Sequence, residues 1–282
     1  MNIVTCSHRA GADLHLHTYY SDGWLSPREL VLACVSAGLE AVALTDHDTV
    51  KGLPQTRSIA EAHGLRFVPA VELSVNFEGR DLHILAYYID PDHEQLSDYL
   101  KEMEIRRRHR IEKIVGRLQE LGVSITVESV FSLAPETSSI GRPHVAQALL
   151  KRRQVSSFQE AFTKYLGTDA PVNIPKETAT LEEAMSVIID SGGCAVLAHP
   201  GFYNLDKVLP IMEPLGLTGI EVYHPSHTEE QIHAFAALAA RKGLIATGGS
   251  DFHRASWNQS GPVGSIRVPC SVIDELKARA GK

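Results

Sequence analysis

The sequence predicts an α/β fold with a mostly parallel sheet or barrel. Three observations lead there. Short apolar runs alternate with helical patterns along most of the 282 residues. Several of these runs are apolar on consecutive residues, as in strands covered on both faces. The helical patterns between them open on clear start signals, and repeated strand–helix units of this kind build parallel sheets.

The elements follow in order. Residues 1–11 lack an apolar signal-peptide region and read as a loosely held lead-in. A strand is expected at Ala12–His17. Ser26-Pro27-Arg28-Glu29 starts a helix, with Ser as N-cap, Pro at the first helical position and Glu three residues past the cap. Gly38 closes it. Further strands are expected at Ala41–Asp46, Arg66–Val75 and Leu82–Ile89. From Asp92 to Val172 the strand signal disappears. A long charged helical segment runs to Gly122, then shorter helices around Val127–Leu133, Pro143–Lys151 and Ser157–Leu166. We read residues 92–172 as a helical insertion between two parts of one α/β domain, 12–91 and 173–282. Beyond it, capping boxes at Thr180-Leu181-Glu182-Glu183 and Thr228-Glu229-Glu230-Gln231 mark two more helices. The remaining strands are expected at Ala195–His199, Gly219–Tyr223, Ile245–Gly248 and Ser265–Val268.

Composition narrows the function classes. The chain is 44% hydrophobic and 22% charged, with a net charge of −7, which argues against a dedicated sequence-independent duplex binder. Cys6, Cys34, Cys194 and Cys270 form no CxxC pair and read as reduced core residues of a cytosolic protein. No run of 18 apolar residues occurs, so no membrane span is expected. Charge is unevenly shared. Residues 92–180 hold 13 Lys+Arg and 12 Asp+Glu, a net of +1, while the rest holds 14 and 22, a net of −8.

The acidic part carries nine residues spaced like ligands of one multinuclear metal site. They lie in Asp13-Leu14-His15-Leu16-His17, Ser21-Asp22-Gly23, Thr45-Asp46-His47-Asp48, Glu72, His83, Ala198-His199-Pro200 and Ser250-Asp251-Phe252-His253. In an extended strand residues i and i+2 share a side, so His15 and His17 face together, as do Asp251 and His253. The motifs fall at or near the carboxyl ends of expected strands, the end that carries chemistry in barrel-like α/β proteins. A lone buried His is more often a hydrogen-bonded core residue; several strands delivering His, Asp and Glu to one rim are hard to attribute to packing. Imidazole with carboxylate and no thiolate suits two or three divalent ions, manganese, zinc or ferrous iron, without choosing among them; manganese is taken as the working expectation. Such ions lower the pKa of bound water and offset charge on phosphoryl oxygens. His8, His63, His93, His109 and His233 read as solvated. Gly248-Gly249 reads as a turn just before Ser250-Asp251.

These motifs together resemble the PHP (polymerase and histidinol phosphatase) superfamily over nearly the whole chain outside the insertion. The resemblance implies a distorted (β/α)7 barrel of the PHP type with a helical insertion domain and a trinuclear metal centre. It implies one site of His15, His17, Glu72 and Asp251, a second sharing Glu72 with His83 and His199, and a third of Asp22, His47 and His253. Gly141-Arg142-Pro143-His144, Ile174-Pro175-Lys176 and Val222-Tyr223-His224-Pro225 look closest to the 3′,5′-nucleoside bisphosphate phosphatase and 5′→3′ exoribonuclease subgroup. That implies a nucleotide bisphosphate or the 5′ end of a short RNA as partner, with no protein partner and no membrane.

Substrate contacts are assigned on this basis. Arg142 offers a bidentate fork to phosphate; His144 and Lys176 supply further cations; His224 protonates or orients the leaving oxygen. Glu72 and Asp251 are the carboxylates placed at the reacting centre. Arg106-Arg107-Arg108-His109-Arg110 wraps around a helix and reads first as a solvated face paired with Glu102, Glu104 and Glu112. The alternative is an entry for RNA with one or two arginines touching phosphate. Rival functions are a phosphatase of another small phosphoester, such as histidinol phosphate, and a non-enzymatic scaffold with a structural metal.

Overall fold

The computed structural model describes residues 11–167, 169–254 and 261–281. Cys6, His8 and the rest of the lead-in lie outside the described residues. Seven strands form one sheet in sequence order: β1 (Ala12–Asp13), β2 (Ala41–Leu44), β3 (Arg66–Phe77), β4 (Arg80–Tyr87), β5 (Cys194–Leu197), β6 (Leu217–Tyr223) and β7 (Ile245–Gly248). The pairs β1–β2, β2–β3, β5–β6 and β6–β7 are parallel. β4 alone is reversed, antiparallel to both β3 and β5. Its reversal has a local cause. Glu78 and Gly79 both have positive φ, 50° and 79°, the geometry of a tight hairpin turn.

The sheet curls until its edges meet. The Leu14 amide donates to the Gly248 carbonyl at 3.3 Å and the His17 amide to the Phe252 carbonyl at 3.0 Å. Leu16 and Phe252 form a parallel bridge. Gly248 and Gly249 serve this seam. Neither has positive φ. A Cβ on Gly249 would lie 2.4 Å from the His15 Cβ and amide nitrogen, and one on Gly248 would lie 2.6 Å from the Tyr223 Cβ. Close approach, not a turn, is what requires glycine here.

The expected eighth strand, Ser265–Val268, is absent. Only Val268 pairs, as a single antiparallel bridge with Ala12. A turn at Gly264, with φ of 72°, precedes it, and Pro269, which lacks an amide hydrogen, follows. The first strand is also shorter than expected: beyond Asp13 the chain is shared between Thr45 on one side and Gly248 and Phe252 on the other.

Two core layers flank the strands. One face packs under α1 (Pro27–Ser36), α2 (Leu53–Ala62), α7 (Leu181–Asp190) and α8 (Leu205–Met212), through Leu30, Val31, Ala60, Met185, Ile188 and Leu209. The other gathers small residues, Ala41, Ala43, Ala70 and Ala198, with Val272, Ile273 and Leu276 of α10 (Ser271–Arg279). α9 (Glu229–Lys242) covers β6 through Phe235 and Ala239. The start signals read at Ser26, Thr180 and Thr228 are all complete capping boxes.

Between β4 and β5 lie α3 (Glu94–Glu120), α4 (Val127–Phe131), α5 (Arg142–Lys151) and α6 (Phe158–Ala161), the last followed by a π turn to Leu166. α3 belongs to two cores. Leu96 and Leu100 pack with the barrel, while Ile111, Ile114, Val115 and Leu118 pack with α4, α5 and α6 in a separate cluster. A rigid helix thus fixes the insertion's height above the barrel rim. Among the described residues no helix is long and apolar enough to cross a membrane.

Candidate metal centre

Glu72 is the hub. It lies on β3, fully buried, and its two carboxylate oxygens address different histidines. Oε2 is 3.1 Å from His15 Nε2, 3.2 Å from His17 Nε2 and 3.2 Å from His47 Nδ1. Oε1 is 2.9 Å from His83 Nδ1 and 3.1 Å from His199 Nε2. Asp251 Oδ1 closes the first set, 3.2 Å from both His15 Nε2 and His17 Nε2. On the other side, Asp22 lies 3.2 Å from His253 Nε2 and 3.9 Å from His47 Nε2.

All nine candidate ligands are therefore in one place. The donor atoms of eight of them, all but His199, fall into three groups: His15, His17, Glu72 and Asp251; His17, Asp22, His47 and His253; and His47, Glu72 and His83. The first matches the set implied by the family resemblance. The second adds His17. In the third, His47 stands where His199 was expected, although His199 also reaches Glu72.

The electrostatics are those of a site built around cations. Burial opposes ionisation of Glu72, but His47, His15 and His83 outweigh it and hold the carboxyl well below the usual range. Burial likewise opposes charge on His253, but Asp22 and Asp251 push it up to about 10. Burial dominates at His47 and at His199 and lowers both. Nδ1 of His17 and Nε2 of His83 are buried with neither a hydrogen-bond nor an ion-pair partner. Orphaned polar atoms are costly. The donor atoms of each group converge, and the donor set is imidazole and carboxylate without thiolate, so the residues fit divalent ions.

A second layer orients this first one. Glu221, on β6, takes His15 Nδ1 at 3.0 Å and the His199 amide at 2.8 Å. It is fully buried among apolar neighbours, and the sequence reading passed over it. The available signal was a single carboxylate inside an otherwise apolar strand. Tyr203 also went unnoticed; its hydroxyl lies 3.2 Å from His199 Nδ1 and accepts from the His83 amide at 3.1 Å. Asp46 accepts from the Thr18 amide and from the Thr18 and Ser21 hydroxyls, fixing the loop that carries Asp22. Asp13 accepts from the Ser250 and Gly264 amides, each at 2.9 Å, and burial pushes it up to about 6. His199 and Asp251 have φ of 28° and 50°. Non-glycine residues in that region carry strain, which clusters where surrounding structure over-determines a functional geometry.

Seven of the nine ligands, all but His15 and His17, line the floor of a cavity of about 450 Å3. Opposite stand Arg107, Arg110, Arg142 and Lys176. Arg107 donates to Asp48 from Nε at 2.9 Å and to the Ser74 hydroxyl from Nη2 at 3.1 Å. Lys176 is 3.1 Å from Asp81. The other two bind neutral carbonyls: Arg142 Nη1 donates to Leu166 O at 3.0 Å and Arg110 Nε to Ile174 O at 2.8 Å. Burial, with Arg142 adding repulsion, lowers Arg110 to about 10.

Arg107 and Arg110 correct the reading of the basic run as a solvated face. They sit three apart on α3 and share the cavity side, while Arg106 and Arg108 pair outward with Glu102 and Glu104. Two expected substrate residues stand elsewhere. His144 does not line this cavity. Its Nδ1 accepts from the Gly141 amide at 3.0 Å, and its ring also bonds the Ser21 backbone. It caps α5 and latches the insertion to the Asp22 loop. His224 has a fully buried side chain behind Asp251, with Nε2 3.3 Å from Oδ2 and Nδ1 2.7 Å from Ser226 Oγ. It positions Asp251 and does not reach the cavity as a proton donor.

Comparison with known proteins agrees with this geometry. The sequence pattern of the PHP domain matches residues 13–116. A 3′,5′-nucleoside bisphosphate phosphatase of Chromobacterium violaceum is 33% identical over 249 residues, spanning 86% of this chain and 87% of the relative. The 5′-3′ exoribonuclease Rnm of Escherichia coli is 35% identical over 250 residues, spanning 86% and 85%. A solved structure from Bifidobacterium adolescentis, described as a candidate metal-dependent phosphoesterase, superposes with a TM-score of 0.89 at 30% identity and covers 97% of each chain.

Proposed function

Since this chain belongs to the PHP family of metal-dependent phosphoesterases, we propose that it removes the 3′-phosphate of nucleoside 3′,5′-bisphosphates. The same site would shorten 5′-phosphorylated RNA from its 5′ end. One observation carries the reading. A single cavity sets a carboxylate–imidazole floor against a wall where two guanidiniums, Arg110 and Arg142, are held by carbonyls and keep their charge for an anion. A substrate with two phosphates matches both surfaces; a monophosphate matches only one.

His15, His17, Asp22, His47, Glu72, His83, His199, Asp251 and His253 would hold the metals, a donor set that suits manganese, zinc or ferrous iron, with manganese the working choice. Divalent ions bound there supply Lewis acidity and an activated water. The chain's own residues supply direction. Arg142 and Arg110 take the 5′-phosphate, with Lys176 beside them exchanging Asp81 for substrate. Glu221 holds His15 in one tautomer, and His224 holds Asp251, so the floor does not reorganise when substrate arrives. His144 keeps Arg142 at the right height by capping α5. With a 5′-phosphate on the wall, the first internucleotide phosphate of an RNA falls where the 3′-phosphate of a bisphosphate would lie.

Phosphate release with added manganese tests the reading. Adenosine 3′,5′-bisphosphate should exceed 3′-AMP in kcat/KM by at least about tenfold, the smaller end of what charged hydrogen bonds contribute. Equal rates on the two, or faster hydrolysis of histidinol phosphate, would remove the 5′-phosphate from the recognition.

A further inference from the structure

We infer that a groove beside the metal cavity is the path of a single RNA strand beyond the scissile phosphate. This rests on the nucleotide reading above. A second cavity of about 280 Å3 shares Arg80, Asp81, Phe202 and Tyr203 with the first, so the two adjoin. It lies between the β3–β4 hairpin and the start of α8, with Lys207 in its lining. The direction follows from what surrounds the first cavity. On the insertion side Gly141, Arg142, Pro143 and Phe162 stand over it. On the groove side the lining comes from the barrel alone. A bisphosphate needs only the first cavity. A strand shortened from its 5′ end also needs an exit of any length for the nucleotides still to be cleaved.

The groove's chemistry fits that occupant. Phe202 is 46% exposed, and Tyr203 adjoins it, offering faces on which any base can stack. Arg80 is exposed and takes part in no ion pair among the described residues. The two carboxylates present each pair with a lysine, Asp81 with Lys176 at 3.1 Å and Glu78 with Lys207 at 2.7 Å, so neither acid stands without a cation beside it before a strand enters. The latter pair is solvent-exposed on both sides, 54% and 56%, so exchanging Glu78 for a phosphate costs Lys207 little. Stacking and phosphate contacts read no base edges, so the groove accepts RNA without sequence preference.

Lys207 lies outside the metal cavity and gives the test. For the wild-type protein with manganese, kcat/KM should rise from 5′-phosphorylated dinucleotide to tetranucleotide and then level off. Lys207→Glu should lower the tetranucleotide value about tenfold while leaving adenosine 3′,5′-bisphosphate within about twofold, as expected of one phosphate contact. Binding of a fluorescent 5′-phosphorylated tetranucleotide, read by anisotropy, should lose about 0.7 from its slope of log affinity against log salt in Lys207→Ala. Absence of any length dependence, an unchanged salt slope, or equal loss on bisphosphate and tetranucleotide would overturn the groove. If bisphosphate turns over normally and these effects are missing, the groove alone fails. If no substrate turns over, the phosphoesterase reading fails, and anisotropy still decides the groove.

Discussion

The floor and the wall of the main cavity are made differently. The floor is drawn from the barrel, from strand ends and the loops after them; its members are buried or partly buried, and several are held by a second hydrogen-bonding layer such as Glu221 behind His15. The wall is drawn from α3, the start of α5 and the segment at Lys176, and its guanidiniums rest on main-chain carbonyls. Rigid side chains in a preorganised cage hold cations in fixed places. Long cationic side chains tethered at one point retain freedom to meet an anion. The contrast separates chemistry from recognition, and it can be broken one side at a time.

Breaking the floor should do the most damage. Asp251→Ala or His15→Ala should lower kcat on every phosphoester by at least about 100-fold, beyond what loss of an outer-layer partner costs. Elemental analysis of the purified variant should show less bound metal. Chelation should abolish activity and lower Tm, since ions that bind only the folded chain stabilise it. Full activity in either variant would dismiss the floor as the reacting centre.

Breaking the wall should change selectivity and leave the chemistry. Arg142→Ala should reduce kcat/KM for 3′,5′-bisphosphates by about 10- to 100-fold, the range for charged hydrogen bonds to phosphate, with 3′-AMP nearly unchanged. A parallel fall on both substrates would place Arg142 with the floor. Between these extremes lies Glu221→Gln. It keeps the shape but weakens the hold on His15, and metal titration should show affinity down by roughly tenfold.

The smallest effect tests the joint between the two. His144→Ala removes a cap and the latch to Ser21, so chemical denaturation should show a loss of about 1 kcal/mol. The wild-type joint is pH-sensitive in a defined direction. Burial lowers the His144 pKa below its ordinary 6.5. The unfolded chain then binds a proton that the folded chain resists, so this contribution is complete above pH 6.5 and is lost as pH falls below it. The difference in stability between wild type and His144→Ala should therefore shrink on acidification; a constant difference would contradict the cap.

The floor was legible because strand periodicity is rigid. Asp13-Leu14-His15-Leu16-His17 states in five letters that two imidazoles share a side. Glu221 was not, because one carboxylate in a strand carries no spacing to read. The wall was half legible. Arg142 has a residue type suited to phosphate, but Arg107 and Arg110 are told from Arg106 and Arg108 only by which face of α3 the barrel turns inward. His144 shows a further limit: imidazole suits an anion and a helix cap equally, and the choice is made by the 3.0 Å approach of the Gly141 amide. The missing eighth strand was lost to Gly264 and Pro269, whose effects on pairing depend on where the barrel closes.

The glycine seam has a consequence in time. Gly249 fits against His15 with no room for a single added carbon, and Asp251 reaches the first histidine pair across almost the entire chain. The two ligand groups that use Asp251 and His253 therefore cannot close until residues 251–253 have been made. Contacts of such sequence separation form late, since the entropy of closing the intervening loop must be met first. A chain made as far as residue 200 holds seven of the nine ligands and lacks Asp251 and His253. Closure of the first ligand group thus waits until the late segment at Asp251 meets the early one at His15 and His17.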